Sequence, residues 1–153
     1  LSFCIINHEV TNKMFISEKE IEVRYAETDQ MGVVYHANYL VWLEMGRTQL
    51  IQDLGFSYAG LEKDGYLSPV TNVNINYKTP VKYGDRVKVR TWIEKHGRLR
   101  TTYGYEVVHT DGTLSSTATT EHVIVRKEDF RPVSLAKIDA AWDNKYKEIV
   151  KES

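Results

Sequence analysis

From Tyr39 to Met45 the chain reads Tyr-Leu-Val-Trp-Leu-Glu-Met, inside a stretch from Ala37 to Leu54 that has the length and composition of a helix and a stop signal at Gly55. A helix that is apolar on nearly every side is normally buried all round. The remaining elements must therefore wrap this helix rather than merely support it.

The rest of the sequence supplies strands. Ile21, Val23 and Tyr25 alternate with Glu22 and Arg24 ahead of the helix. After it, Val73, Ile75 and Tyr77 alternate with Asn72, Asn74, Asn76 and Lys78, and Val87, Val89 and Ile93 alternate with charged residues. This period of two marks half-buried strands. Tyr103, Tyr105 and Val107 mark a further strand, joined through Asp111-Gly112, a favoured hairpin dipeptide, to a long strand from about Thr113 to Arg126. Leu135 to Val150 carries Ile138, Ala141, Trp142 and Tyr146 at helical spacing and is expected to pack on the sheet edge. One strand, a long helix and four hairpin-connected strands give an α+β class with an antiparallel sheet around one helix. A doubly wound parallel sheet would need crossover helices that the sequence does not provide.

Composition narrows the function. The 153 residues fit one domain. A formal net charge of -1 leaves no basic surplus for neutralising phosphates, so no nucleic-acid partner is expected. No apolar run approaches the ~20 residues of a membrane-spanning helix. Cys4 is the single cysteine, which fits a reducing, cytoplasmic compartment. The five histidines show no spacing typical of a metal site, so neither a metal nor an organic cofactor is expected. Leu1–Lys13 is expected to be a disordered leader or an added extension, with the domain occupying 14–153.

The run Tyr25-Ala-Glu-Thr-Asp29-Gln-Met-Gly32-Val-Val-Tyr35-His36-Ala-Asn38-Tyr39 closely resembles the signature of the 4-hydroxybenzoyl-CoA thioesterase family, especially its bacterial short-chain acyl-CoA branch. The loop Pro80-x-x-x-Gly84-Asp85 resembles the family's connection between its second and third strands. The resemblance spans about Ile21 to Arg126. It implies a hotdog fold, a curved five-stranded antiparallel sheet around a central helix. It also implies hydrolysis of short- to medium-chain or aromatic acyl-CoA, or of an acyl-carrier-protein thioester.

The residues suit that chemistry. Thioester hydrolysis needs a nucleophile or a base for water, and donors for the developing oxyanion. Asp29 is a carboxylate in the loop before the helix, and the helix start offers free N–H groups and the positive end of the macrodipole. By similarity, the backbone N–H of His36 polarises the thioester carbonyl, while Gly32, Tyr35 and Tyr39 are candidate substrate-binding residues. Glu44, eight residues after His36, is the second-choice carboxylate, because another hotdog branch uses a helix glutamate. The bland reading of Glu44 is a carboxylate on a buried helix paired with Arg47. Rival functions are a hotdog dehydratase acting on acyl thioesters and a non-catalytic acyl-CoA-binding module. The resemblance further implies a homodimer joined edge to edge, or a homotetramer, with active sites at the subunit interface.

Overall fold

The computed structural model describes residues 14–151; the leader expectation falls on residues outside these. Strand β1 (Ser17–Glu22) is followed by a 3₁₀ turn (Tyr25–Glu27) and the central helix α1 (Asn38–Asp53). After α1 come a short helix α2 (Tyr58–Lys63) and β2 (Tyr66–Leu67). Strands β3 (Val70–Tyr77), β4 (Arg86–His96), β5 (Arg100–His109) and β6 (Leu114–Val123) then follow. The chain continues through β7 (Val125–Arg126), α3 (Leu135–Ile138) and α4 (Ala140–Ile149). The main sheet has five antiparallel strands in the order β1-β4-β5-β6-β3, and β2 pairs with β7 in a separate ribbon. The expected α+β sheet around a helix is the observed architecture. The short α2 and the β2–β7 ribbon carry no periodic signal and are additions of the structure.

Alternation is clearest in β4, where Val87, Val89, Thr91 and Ile93 are buried. From β5, Tyr103, Tyr105 and Val107 join them under Trp42, Leu43, Leu50 and Ile51 of α1. Burying side chains of this kind stabilises by roughly 1.5–3 kcal/mol each. Gly46 lets α1 settle on the sheet: a Cβ there would stand 2.6 Å from Thr91 Oγ1 and Val89 Cγ1.

Three expectations need correction. First, α1 is not buried on all sides: Leu40, Val41 and Met45 are exposed in the single chain. Second, β3 is not half-buried. It is an edge strand, with Val70, Val73 and Tyr77 exposed. Third, the C-terminal segment packs against the free end of β4, with Lys151 N–H on Ile93 O at 2.8 Å, but not as one helix. Asp139 breaks it into two helices and caps the second by accepting from the Trp142 N–H at 3.0 Å. Trp142 and Tyr146 then enter the main core, Trp142 stacked on Phe56 and the Tyr146 hydroxyl 2.8 Å from that of Tyr103 on β5.

Candidate active site

The segment before α1 folds into a small hairpin. Residues 27–29 run antiparallel to 33–35 through Tyr35 N–H to Glu27 O at 2.9 Å and Asp29 N–H to Val33 O at 2.8 Å. Gly32 closes the turn with its N–H on Asp29 O at 3.0 Å and a φ of +80°, a conformation glycine adopts without strain. No protein atom lies within 4 Å of where its Cβ would be, so the turn itself accounts for the glycine. The Pro80–Asp85 loop holds the hairpin from below, Val34 N–H donating to Val81 O at 2.8 Å.

Asp29 sits at the hairpin tip, half-buried. Its Oδ1 accepts from Met31 N–H at 2.8 Å and, more weakly, from Val33 N–H at 3.4 Å. Its Oδ2 has no partner among the described residues. The carboxylate is thus oriented by one oxygen and open at the other. Asp29, Thr28, Tyr35 and Asn38 line one surface cleft, which brings the carboxylate to the first turn of α1.

That first turn has no side-chain cap. Its N-cap is Ala37, a poor capping residue. Asn38 N–H donates to Tyr35 O and Tyr39 N–H to His36 O, whereas the N–H groups of His36 and Ala37 have no acceptor among the described residues. Two donors therefore stand free at the positive end of a 16-residue helix. The His36 and Tyr35 rings lie 4.4 Å apart, centroid to centroid, and both side chains are exposed beside this end.

Tyr39 is placed differently from Tyr35. It is 3% exposed, its ring packs on Trp42 and Tyr77, and its hydroxyl lies 3.3 Å from Ser115 Oγ. Burial raises its pKa, partly offset by the Ser115 hydrogen bond. Tyr39 supports the site from the core rather than lining its surface.

Glu44 corrects the expectation of a buried helix carboxylate. Its side chain is 69% exposed, and the buried member of the pair is Arg47, at 4.0 Å. The cleft around Asp29 does not include Glu44.

Sequence reasoning missed Glu27. This carboxylate is 6% exposed and links the 3₁₀ turn to α1. It accepts from Arg24 N–H at 2.8 Å and from the Trp42 indole N–H at 3.0 Å, with the Arg24 guanidinium at 3.4 Å. Its backbone oxygen also accepts from Asn38 Nδ2 at 2.8 Å. Glu27 therefore pins the hairpin that carries Asp29 to the helix that carries the free donors. Its place two residues before Asp29 was visible; its partner Trp42, fifteen residues on, was not.

Among the described residues, no group of three or more His, Cys, Asp or Glu side chains is gathered so as to hold a metal ion, and no helix is long and apolar enough to cross a membrane.

Comparison with known proteins shows the family and the fold. The family model of the thioesterase-like superfamily matches residues 23–142. A Bacillus subtilis protein, YneP, named as a candidate acyl-CoA thioesterase, is 54% identical over 138 residues, 90% of this chain and 100% of that protein. The acyl-CoA thioester hydrolase YbgC of Escherichia coli is 27% identical, covering 76% of this chain and 87% of its own. Among solved structures, a DHNA-CoA thioesterase from Staphylococcus aureus superposes with a TM-score of 0.87 at 46% identity, covering 89% of this chain and 91% of that one. The chain belongs to the thioesterase-like superfamily of hotdog-fold proteins.

Proposed function

We propose that this thioester hydrolase cleaves acyl-CoA with Asp29 as its catalytic carboxylate and the free N–H groups of His36 and Ala37 as its oxyanion donors. The observation that carries this reading is the uncapped start of α1 beside a carboxylate with one oxygen pinned and the other open. Either Asp29 Oδ2 attacks the thioester carbon, or it takes a proton from a water that attacks. In both routes the carbonyl electron pair moves onto an oxygen held by the backbone donors, and collapse of the adduct expels the coenzyme A thiolate. Direct attack leaves a mixed anhydride on Asp29, which water then hydrolyses. Where water attacks the Asp29 carbonyl of the anhydride, single-turnover hydrolysis in ¹⁸O water separates the routes: the first product then carries unlabelled Asp29 oxygen and ¹⁸O enters the Asp29 carboxylate, whereas the general-base route labels the product alone.

Gly32 shapes the hairpin, and the exposed Tyr35 and His36 rings are the substrate contacts this reading favours. The similarity to a DHNA-CoA thioesterase makes an aromatic acyl group the first substrate to test. Incubation with aromatic and straight-chain acyl-CoAs, reading free thiol, tests the function. Thiol release supports hydrolysis; an altered acyl chain without thiol points to a dehydratase, and binding alone to a sensor.

The working unit in this reading is a homodimer. Leu40, Val41 and Met45 of α1 and Val73 and Tyr77 of the edge strand β3 are exposed apolar groups next to an unpaired strand edge. Such a surface is suited to a second copy of the chain. Light scattering that gives a stable monomer at micromolar concentration would overturn it. The single cysteine supports a reducing compartment, and we place the enzyme in the cytoplasm.

A further inference from the structure

Large apolar side chains gather in solvent around the Asp29 cleft. Tyr25, which lines the cleft, is 75% exposed, Tyr83 is 61% exposed and Met31 80%. The Tyr25 and Tyr83 rings stand edge to face, with centroids 5.6 Å apart and planes at 86°. In such a pair the ring that offers its edge keeps both of its own faces open. An aromatic corner left in water beside a reaction site marks a binding surface.

Both rings are fixed relative to Asp29. Tyr25 opens the 3₁₀ turn, and its carbonyl oxygen accepts from the Thr28 N–H at 3.0 Å and from the Thr28 hydroxyl at 2.7 Å. Tyr83 lies in the turn from Lys82 to Asp85, closed by Asp85 N–H to Lys82 O at 3.0 Å and by Lys82 N–H to Asp85 Oδ2 at 2.9 Å. This turn is bonded to the Asp29 segment on two sides. Asp85 O accepts at 3.2 Å from the N–H of Val23, just ahead of Tyr25, and Lys82 forms a β-bridge with Val33 of the Asp29 hairpin. Tyr25 follows β1, the sheet edge opposite β3. Pairing of two copies along β3 therefore does not account for the exposure of the corner.

Reach and charge say what the corner takes. The chain from Tyr25 to Asp29 spans at most about 14 Å even when fully extended. The pantetheine arm of coenzyme A is longer than that. With the thioester carbon at Asp29, the nucleotide at the far end of the arm falls at Tyr25 or beyond it, where Tyr83 stands. Arg24 and Lys82, each next to one of the rings in sequence, are exposed cations. An aromatic face stacks a base without needing a hydrogen-bond code, and cations suit the phosphates. Acyl carrier protein presents the same arm without the adenine.

We propose that Tyr25 and Tyr83 seat the adenine of the coenzyme A leaving group, with Arg24 and Lys82 on its phosphates, so that the enzyme selects coenzyme A thioesters over the same acyl group carried without the nucleotide. The proposal rests on the thioesterase reading. It adds the residues that recognise the leaving group.

The test takes the acyl-CoA that the enzyme cleaves fastest and the same acyl group on pantetheine, which keeps the reacting carbon and the arm but lacks the nucleotide. Tyr83 lies outside the Asp29 cleft, so it is the ring to replace. Both thioesters are turned over by the wild type, Tyr83→Ala, Tyr83→Phe and Lys82→Gln. The wild type should favour the CoA thioester in kcat/KM. Tyr83→Ala should lower the ratio of the two kcat/KM values by ~10-fold or more, the worth of one base stacked on an aromatic ring, and do so through KM. Tyr83→Phe should keep most of the ratio, and Lys82→Gln should lower it by about two- to fivefold, as for an exposed charge. No preference in the wild type, equal losses on both thioesters in Tyr83→Ala, or a dimer weakened in light scattering with an unchanged ratio would overturn the proposal. Calorimetric binding of adenosine 3′,5′-bisphosphate to the wild type and Tyr83→Ala is measured alongside. If no acyl-CoA is cleaved, the thioesterase reading fails, and this binding still decides the corner: binding that is lost in Tyr83→Ala supports it, and no binding, or binding that survives, overturns it.

Discussion

The Tyr77 hydroxyl donates a 3.0 Å hydrogen bond to the carbonyl oxygen of His36. That carbonyl shares a peptide unit with the free N–H of Ala37, and hydrogen bonds in sequence polarise one another. Burial, then the neighbouring Tyr39, raises the Tyr77 pKa, so the hydroxyl remains a donor across the physiological range. One edge-strand side chain thus strengthens and orients a proposed oxyanion donor. Tyr77→Phe is expected to lower kcat by about five- to tenfold, the worth of roughly 1 kcal/mol, with KM within about twofold. Steady-state kinetics checks this, and an unchanged kcat would leave Tyr77 a packing residue.

Asp29→Asn keeps the size of the side chain and removes its charge and basicity. Its loss as nucleophile or base should lower kcat by ~10³ or more with the melting temperature unchanged. Glu44→Gln is the control. Read as a buried carboxylate, Glu44 should be costly to neutralise. At 69% exposure and 4.0 Å from Arg47, it should instead change stability by less than about 1 kcal/mol and leave kcat within about tenfold. Kinetics and thermal melts of both variants decide the assignment. An active Asp29→Asn beside an inactive, folded Glu44→Gln would reverse it.

Glu27→Gln replaces a carboxylate oxygen by an amide NH₂ where the Arg24 N–H and Trp42 indole both need acceptors. Leaving a buried donor unpaired costs about 1–3 kcal/mol, and near 150 residues each kcal/mol lowers Tm by about 2–4 °C. The loop would also lose its registration on α1, so kcat should fall while KM moves less. A thermal melt together with kcat separates this from the Asp29 variant, which should lose activity without stability.

His122 should make stability depend on pH. Its folded pKa, about 4, lies below the 6.5 of a free histidine, so between these values the unfolded chain binds a proton that the folded chain refuses. The associated stability is complete above pH 6.5 and is lost as pH falls toward 4, on the order of 3 kcal/mol in all. His122→Gln should flatten the fall in melting temperature between pH 7 and pH 5. An equally steep fall in that variant would assign the pH dependence to other groups.

The two-residue alternation of β4 was legible because half-burial writes one side chain in two onto the core. The same pattern in β3 was legible as a strand but misled about burial. Periodicity reports which residues share a face, while position in the sheet decides what covers that face. β3 falls at the edge, so Val73 and Tyr77 remain uncovered within one chain. Helix α1 repeats the lesson with Leu40, Val41 and Met45: the run is apolar on nearly every side, and within one chain the sheet covers only part of it.

The sequence by itself determined the order of the main strands and the central helix, the α+β class and the motif that places Asp29 ahead of a helix start, because these follow from local periodicity and from residues close together along the chain. Tertiary structure alone decided that Glu44 is solvated and Arg47 buried, that Glu27 ties the hairpin to Trp42, and that Tyr77 reaches the His36 carbonyl. Each of these depends on which face of α1 meets the sheet or on a contact between distant residues. The pairs 27–42 and 36–77 join different elements, and their geometry is set only when the helix seats on the strands.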